Sequence, residues 1–108
     1  MNSKPIDQLE FRGSIGNLPF HAILMNQFIN ALSLNGWREA HNGHIYKRLV
    51  ERGTEFGINT PNDFARALRD GFTQPSAGGT SRRVCRGGAC WIIFKGNEFI
   101  TIRHPSEK

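Results

Sequence analysis

The last third of the chain is patterned as strands. From Ser81 onward, the helical spacing of apolar residues gives way to short apolar runs separated by Gly87-Gly88 and Gly96-Asn97, dipeptides that close two-residue hairpins. The pattern predicts strands over residues 82–86, 89–95 and 98–104, joined as an antiparallel meander. A two-residue loop also fixes pairing. Gly96-Asn97 sets Lys95 opposite Glu98, Phe94 opposite Phe99, Ile93 opposite Ile100, Ile92 opposite Thr101 and Trp91 opposite Ile102. Because side chains alternate between faces, this register collects Trp91, Ile93, Ile100 and Ile102, with Val84 from the first strand, on a predicted core face. Ile92, Phe94, Phe99, Thr101, Arg103 and the nearby Arg83 fall on a mixed face. Two phenylalanines there imply a cover: a helix, a ligand or a partner protein.

The same reasoning at Gly87-Gly88 pairs Arg86 with Ala89 and Cys85 with Cys90, the latter as a non-hydrogen-bonded pair in which the Cβ atoms come close. A disulfide between Cys85 and Cys90 is geometrically possible, and its short loop limits the entropic gain. Two free thiols fit the sequence as well. A zinc site does not, because no second pair of ligands accompanies them.

Helices are expected ahead of the meander, and residues 1–17, with Gly13 and Gly16, read as irregular. Phe20, Ile23, Leu24, Phe28, Ile29 and Leu32 recur at helical spacing, predicting a helix over residues 18–34 with Pro19 at its first position and Asn35-Gly36 as its stop. A second helix is predicted from His44 to residue 51 or 52, ended by Gly53 or Gly57. Ile45 and Leu49 mark one face, and His44, Lys47, Arg48 and Glu51 the other. Thr60-Pro61-Asn62-Asp63 combines an N-cap, an N1 proline and a first-turn acid, and starts a third helix that runs to Gly71. The Pro-, Ser- and Gly-rich residues 73–80 read as an exposed loop. The chain is thus predicted to be a single α+β domain over residues 1–108, with N-terminal helices packed on a C-terminal antiparallel β-meander. Its 108 residues suffice for one core.

The charge is concentrated where the strands are. Ten of the fourteen cations are arginine, and residues 81–108 carry six cations against two anions, +4 of the total +5. Arginine's planar fork matches phosphate and stacks on bases, so the bias points to a nucleic-acid partner. The opening residues 1–7 have no apolar h-region, and no run is long enough to span a membrane.

No phosphate loop, metal-binding helix motif or serine elbow occurs, and no cofactor is expected. Metal-independent RNA cleavage needs a base for the ribose 2′-OH, a proton source for the 5′-oxygen and cations for the phosphate. His44, Lys47, Thr101, Arg103 and His104 are candidates for the catalytic work, and Arg48, Arg82, Arg83 and Arg86 for substrate binding. Histidine titrates in the useful range. Each residue also has an ordinary reading: Lys47 and Glu51 suit a surface helical pair, Thr101 suits a strand, and His21 and His41 suit structural or turn positions.

Two segments carry a resemblance. The stretch from His44 through Glu55-Phe56-Gly57, followed by the Thr-initiated helix, and the closing Asn97-Glu98-Phe99-Ile100-Thr101-Ile102-Arg103-His104-Pro105 with its Thr-x-x-x-Pro strand, resemble C-terminal toxin domains of bacterial contact-dependent growth inhibition and related polymorphic toxin systems. Many of those domains have the barnase/EndoU/colicin/RelE-type ribonuclease fold. The resemblance implies a ribonuclease, often directed at tRNA, with a cognate immunity protein that is expected to be acidic. It also implies delivery as part of a larger secreted or cell-surface effector that acts in the target-cell cytoplasm. Carried over, His44 and Lys47 come from the helix and Thr101 and Arg103 from the last strand. The chain departs from the pattern at Arg52, where relatives often have histidine before the glycine. A second similarity, Asn35-Gly36-Trp37 followed by Gly43-His44-Ile45-Tyr46, is to the start of HicA-type mRNA interferases, which continue into a short strand pair after the histidine. A non-catalytic RNA- or DNA-binding module and a protein-interaction domain remain competing classes.

Overall fold

The structure, a computed structural model, describes residues 3–106, apart from the side chain of Arg86. It is an α+β domain in which three helices pack against a five-stranded mixed sheet. The helices are α1 (Met25–Leu34), α2 (His44–Phe56) and α3 (Pro61–Asp70). The strands are β1 (Arg38–Glu39), β2 (Phe72–Pro75), β3 (Ser81–Val84), β4 (Trp91–Lys95) and β5 (Glu98–Arg103), in the spatial order β1-β5-β4-β3-β2. β2 to β5 form the antiparallel meander, and β1 adds a parallel pairing at Glu98 and Phe99.

Three expected elements are corrected. The first helix starts at Met25 after a single 3-10 turn, Ala22–Leu24, and Pro19 stands outside it. The preceding backbone is claimed by tertiary partners: Phe20 N–H bonds Asn59 O at 3.2 Å, His21 N–H bonds the Tyr46 hydroxyl at 2.9 Å, and that hydroxyl donates to His21 O at 2.6 Å. The second helix continues through Gly53 to Phe56 and ends at Gly57, whose φ of 74° is the left-handed cap glycine allows. Gly53 is buried within it because a Cβ there would run into the Ile58 carbonyl. Finally, the expected loop over residues 73–80 holds β2, an edge strand where Pro75 costs no ladder bond. The third helix forms as predicted, with Thr60 and Asp63 closing a reciprocal capping box.

The sheet register is corrected at one point, with large consequences. Lys95↔Glu98 and Phe94↔Phe99 pair as the turn requires, but a bulge then intervenes, giving Ile93↔Thr101, Ile92↔Ile102 and Trp91↔Arg103. Ile100 is the extra residue. The bulge lets Phe99 and Ile102, three apart, both turn into the core, where each is fully buried. The two faces are therefore largely exchanged relative to the sequence expectation. Ile92, Phe94, Phe99, Ile102 and Arg83 lie on the face under the helices, while Trp91, Ile93, Thr101, Arg103 and Arg82 lie on the opposite face, which α2 meets at the β5 edge through His44 and Thr101. The Gly87-Gly88 turn is wider than a two-residue loop. Residues 86–89 lie between Cys85 and Cys90, which are joined by a disulfide, and Cys85 N–H donates to Cys90 O, so the pair is a hydrogen-bonded one.

The core is largely aromatic. Phe99 stacks on Trp37 at 4.5 Å and meets Phe64 edge-on at 5.4 Å, Phe64 meets Phe28 at 5.8 Å, and Phe28 contacts Tyr46 and Phe11 at 5.3 and 5.5 Å. Phe11 and Leu9 draw the irregular N-terminal segment onto this core. Buried Asn35 fastens it further, donating to Glu10 O and Ala31 O and accepting from Glu10 N–H.

Candidate active site

The start of α2 is built around a missing side chain. Its N-cap is Gly43, at φ 79°, which has no side-chain oxygen to offer the first-turn amides. Glu39 in β1 supplies one: its carboxylate accepts Ile45 N–H at 2.5 Å. Burial pushes the Glu39 carboxyl up, opposed by the backbone N–H groups of Ile45, Tyr46 and Gly43. The result fixes His44, the first residue of the helix, against the sheet edge. β1 covers that edge only at Glu98 and Phe99, and α2 takes over beyond it, with Arg48 Nε donating to Ile102 O at 2.6 Å.

Here four side chains meet. His44 Nε2 lies 2.9 Å from Thr101 Oγ1, and His44, Arg48, Thr101 and Arg103 line one hollow of about 260 Å³. His44 and Arg48 share a helix face because they are four residues apart. Thr101 and Arg103 share a strand face because they are two apart, and the bulge aims that face at His44. The His44 imidazole titrates below its ordinary value, first because burial disfavours the cation and then because Arg48, His41 and Lys47 add positive charge. It is therefore held neutral at physiological pH. The hollow combines a neutral imidazole, a hydroxyl and two guanidinium-bearing side chains: a proton acceptor beside an anion site.

The remaining sequence candidates stand elsewhere. Lys47 is exposed on α2 and lines a separate small hollow with Met25, Tyr46 and Val50. His104 follows Arg103 off the end of β5, where its Nδ1 meets Ser106 Oγ at 2.8 Å and Ser106 N–H at 3.2 Å. Arg83, expected on the substrate face, points into the core side. At 9 % exposure its Nε donates to Leu68 O at 2.8 Å, near the end of α3, and its Nη1 to Thr73 Oγ1, so it pins α3 to the sheet. Arg82 stays on the outer face, its guanidinium 4.2 Å over the Trp91 ring and its Nε bonded to Gln74 Oε1 at 3.0 Å. The side chain of Arg86 lies outside the described residues.

Sequence reasoning missed Glu39 and Trp91. A carboxylate near a helix start is a favourable electrostatic arrangement, but its reach across the Asn42-Gly43 turn had no local signature. Trp91 was assigned to the core because the bulge was not visible. His44 opens α2 rather than a strand pair. Among the described residues, no three His, Cys, Asp or Glu side chains cluster as metal ligands do, and no helix is long and apolar enough to cross a membrane. Comparison with family models, curated proteins and solved structures found no match to this chain.

Proposed function

We propose that the chain is a bacterial toxin domain that cleaves RNA, tRNA by its resemblance, without a metal ion. The observation that carries this reading is the His44–Thr101 contact at 2.9 Å inside a hollow shared with Arg48 and Arg103. His44, neutral at physiological pH, takes the proton of a ribose 2′-OH. The 2′-oxygen bonds to the adjacent phosphorus, the bond from phosphorus to the 5′-oxygen breaks, and the products are a 2′,3′-cyclic phosphate and a 5′-hydroxyl end. The leaving oxygen takes its proton from solvent. Arg48 and Arg103 hold the non-bridging oxygens as negative charge builds. Thr101 orients the imidazole. Lys47 and His104, outside the hollow, take no part in the step.

The same basic surface is where an acidic immunity protein would bind and block the domain. The larger effector that delivers it to a target-cell cytoplasm belongs to this reading as well. Inducible expression in bacteria tests it. Growth arrest with discrete RNA fragments, both lost in His44→Ala and in Arg103→Ala, is the expected result. Intact RNA and normal growth would sink it, and salt-dependent RNA binding without cleavage would make the chain a binding module instead.

A further inference from the structure

Beside the hollow, on the same outer face of the sheet, runs a groove of about 660 Å³. Its floor is apolar: Trp91, Ile93 and Ile100, flanked by Pro75 and Pro105. Ile93 is 7 % exposed yet does not belong to the core under the helices, so its burial comes from the groove's own walls. Two arginines border the groove. Arg103 lines both it and the hollow, so the two adjoin at that side chain. Arg82 is held over the indole of Trp91, 4.2 Å from the ring centroid, with Nε tied to Gln74 and no Nη hydrogen bond among the described residues.

We infer that this groove is the subsite for the nucleotide next to the cleaved bond, with its base stacked on the Arg82–Trp91 pair and its phosphate between Arg82 and Arg103. The inference rests on the ribonuclease reading. Its physical argument is that a flat apolar floor with cations at its rim has the two chemistries of a nucleotide, a π-face and an anion. A guanidinium already seated over an indole and tied at Nε needs little further ordering to accept a base beside it or in its place on the ring. An acidic peptide would use the two cations but leave the stacking platform without a partner. Because every base has a π-face, the subsite tolerates any sequence, and selectivity for one RNA must come from elsewhere.

Tryptophan fluorescence reads the site directly, since Trp91 is half-exposed in the groove and Trp37, the other tryptophan, is buried in the core. The probe is a short single-stranded RNA titrated into the His44→Ala protein, with an abasic ribose-phosphate oligomer as control. The expected result is saturable quenching by RNA and none by the abasic oligomer. Trp91→Leu, checked for folding by circular dichroism, should weaken RNA binding by about tenfold, in the range of one lost stacking contact, and Arg82→Gln should weaken both oligomers. RNA that binds without changing the fluorescence, or that binds folded Trp91→Leu as tightly, would overturn the inference. If the unmutated protein still cuts RNA in that case, the subsite alone is wrong. Quenching without cleavage by the unmutated protein would leave a nucleotide-binding groove but remove the ribonuclease reading, and with it the groove's place next to a cleaved bond.

Discussion

Thr101→Val separates a catalytic contact from a structural one. Valine keeps the β-branched shape at a strand position paired with Ile93 and removes only the hydroxyl that meets His44 Nε2 at 2.9 Å. Both partners are partly solvent-accessible, so the lost hydrogen bond should cost stability at the low end of its usual net value, about 0.5 kcal/mol. The melting temperature should fall by only a few degrees. The kinetic loss should be larger. General-base catalysis is worth roughly 10²- to 10⁴-fold, and an imidazole free to leave its orientation forfeits part of that. A ten- to hundredfold slower cleavage, about 1.4–2.7 kcal/mol in barrier, is expected. The assay is single-turnover cleavage of a labelled RNA by folded protein, alongside a thermal melt. A folded Thr101→Val protein that cleaves at the unmutated rate would refute the assignment of Thr101 as the residue that orients His44.

Three further outcomes follow from the geometry. Cleavage should be full at pH 7 and fall in acid with a midpoint below 6.5, because His44 must be neutral to act and its pKa is lowered; in a pH–rate profile, Lys47→Ala should move that midpoint upward without slowing the reaction at pH 7.5. Folding linkage has the matching sign: the unfolded chain binds the His44 proton first, so this residue's contribution to stability is complete above pH 6.5 and is lost as pH falls through the folded pKa. Glu39→Ala should destabilise by about 1 kcal/mol, as loss of a helix cap does, and slow cleavage by loosening the start of α2, whereas Glu39→Gln, which keeps an acceptor and sheds a buried charge, should melt at or above the unmutated temperature; a urea titration and the cleavage assay read both. Reducing the Cys85–Cys90 disulfide, whose loop is six residues long counting both cysteines, should cost about 2 kcal/mol on the chain-entropy estimate, roughly 10 °C in melting temperature, and leave the His44–Thr101 contact intact, since the bond closes the β3–β4 turn and neither cysteine lines the hollow.

Much of this site could be read from spacing. His44 and Arg48 lie one helical turn apart, and Thr101 and Arg103 two residues apart on a strand, so each pair shares a face under any register. What spacing could not assign was which sheet face is buried. Trp91-Ile92-Ile93-Phe94 is apolar at every position, which hides the alternation that normally marks the core side. The separation of Phe99 from Ile102 carried the missing information: two strand residues three apart reach one core only across a bulge. Arg83 looked like a substrate ligand because buried arginine is rare, and nothing local announced the open carbonyl of Leu68 that it satisfies. Residues 20–24 have helical spacing, yet the backbone of Phe20 and His21 bonds Asn59 and Tyr46, contacts that exist only in the folded chain.

The central claim is that His44 drives 2′-hydroxyl attack on the adjacent phosphate, and the chemistry of the RNA ends tests it most directly. Purified protein incubated with end-labelled RNA in the presence of a chelator should yield fragments ending in 2′,3′-cyclic phosphate and 5′-hydroxyl, with none formed by His44→Ala. RNA left uncut, fragments bearing 5′-phosphate, or equal cleavage by the His44→Ala protein would contradict the account.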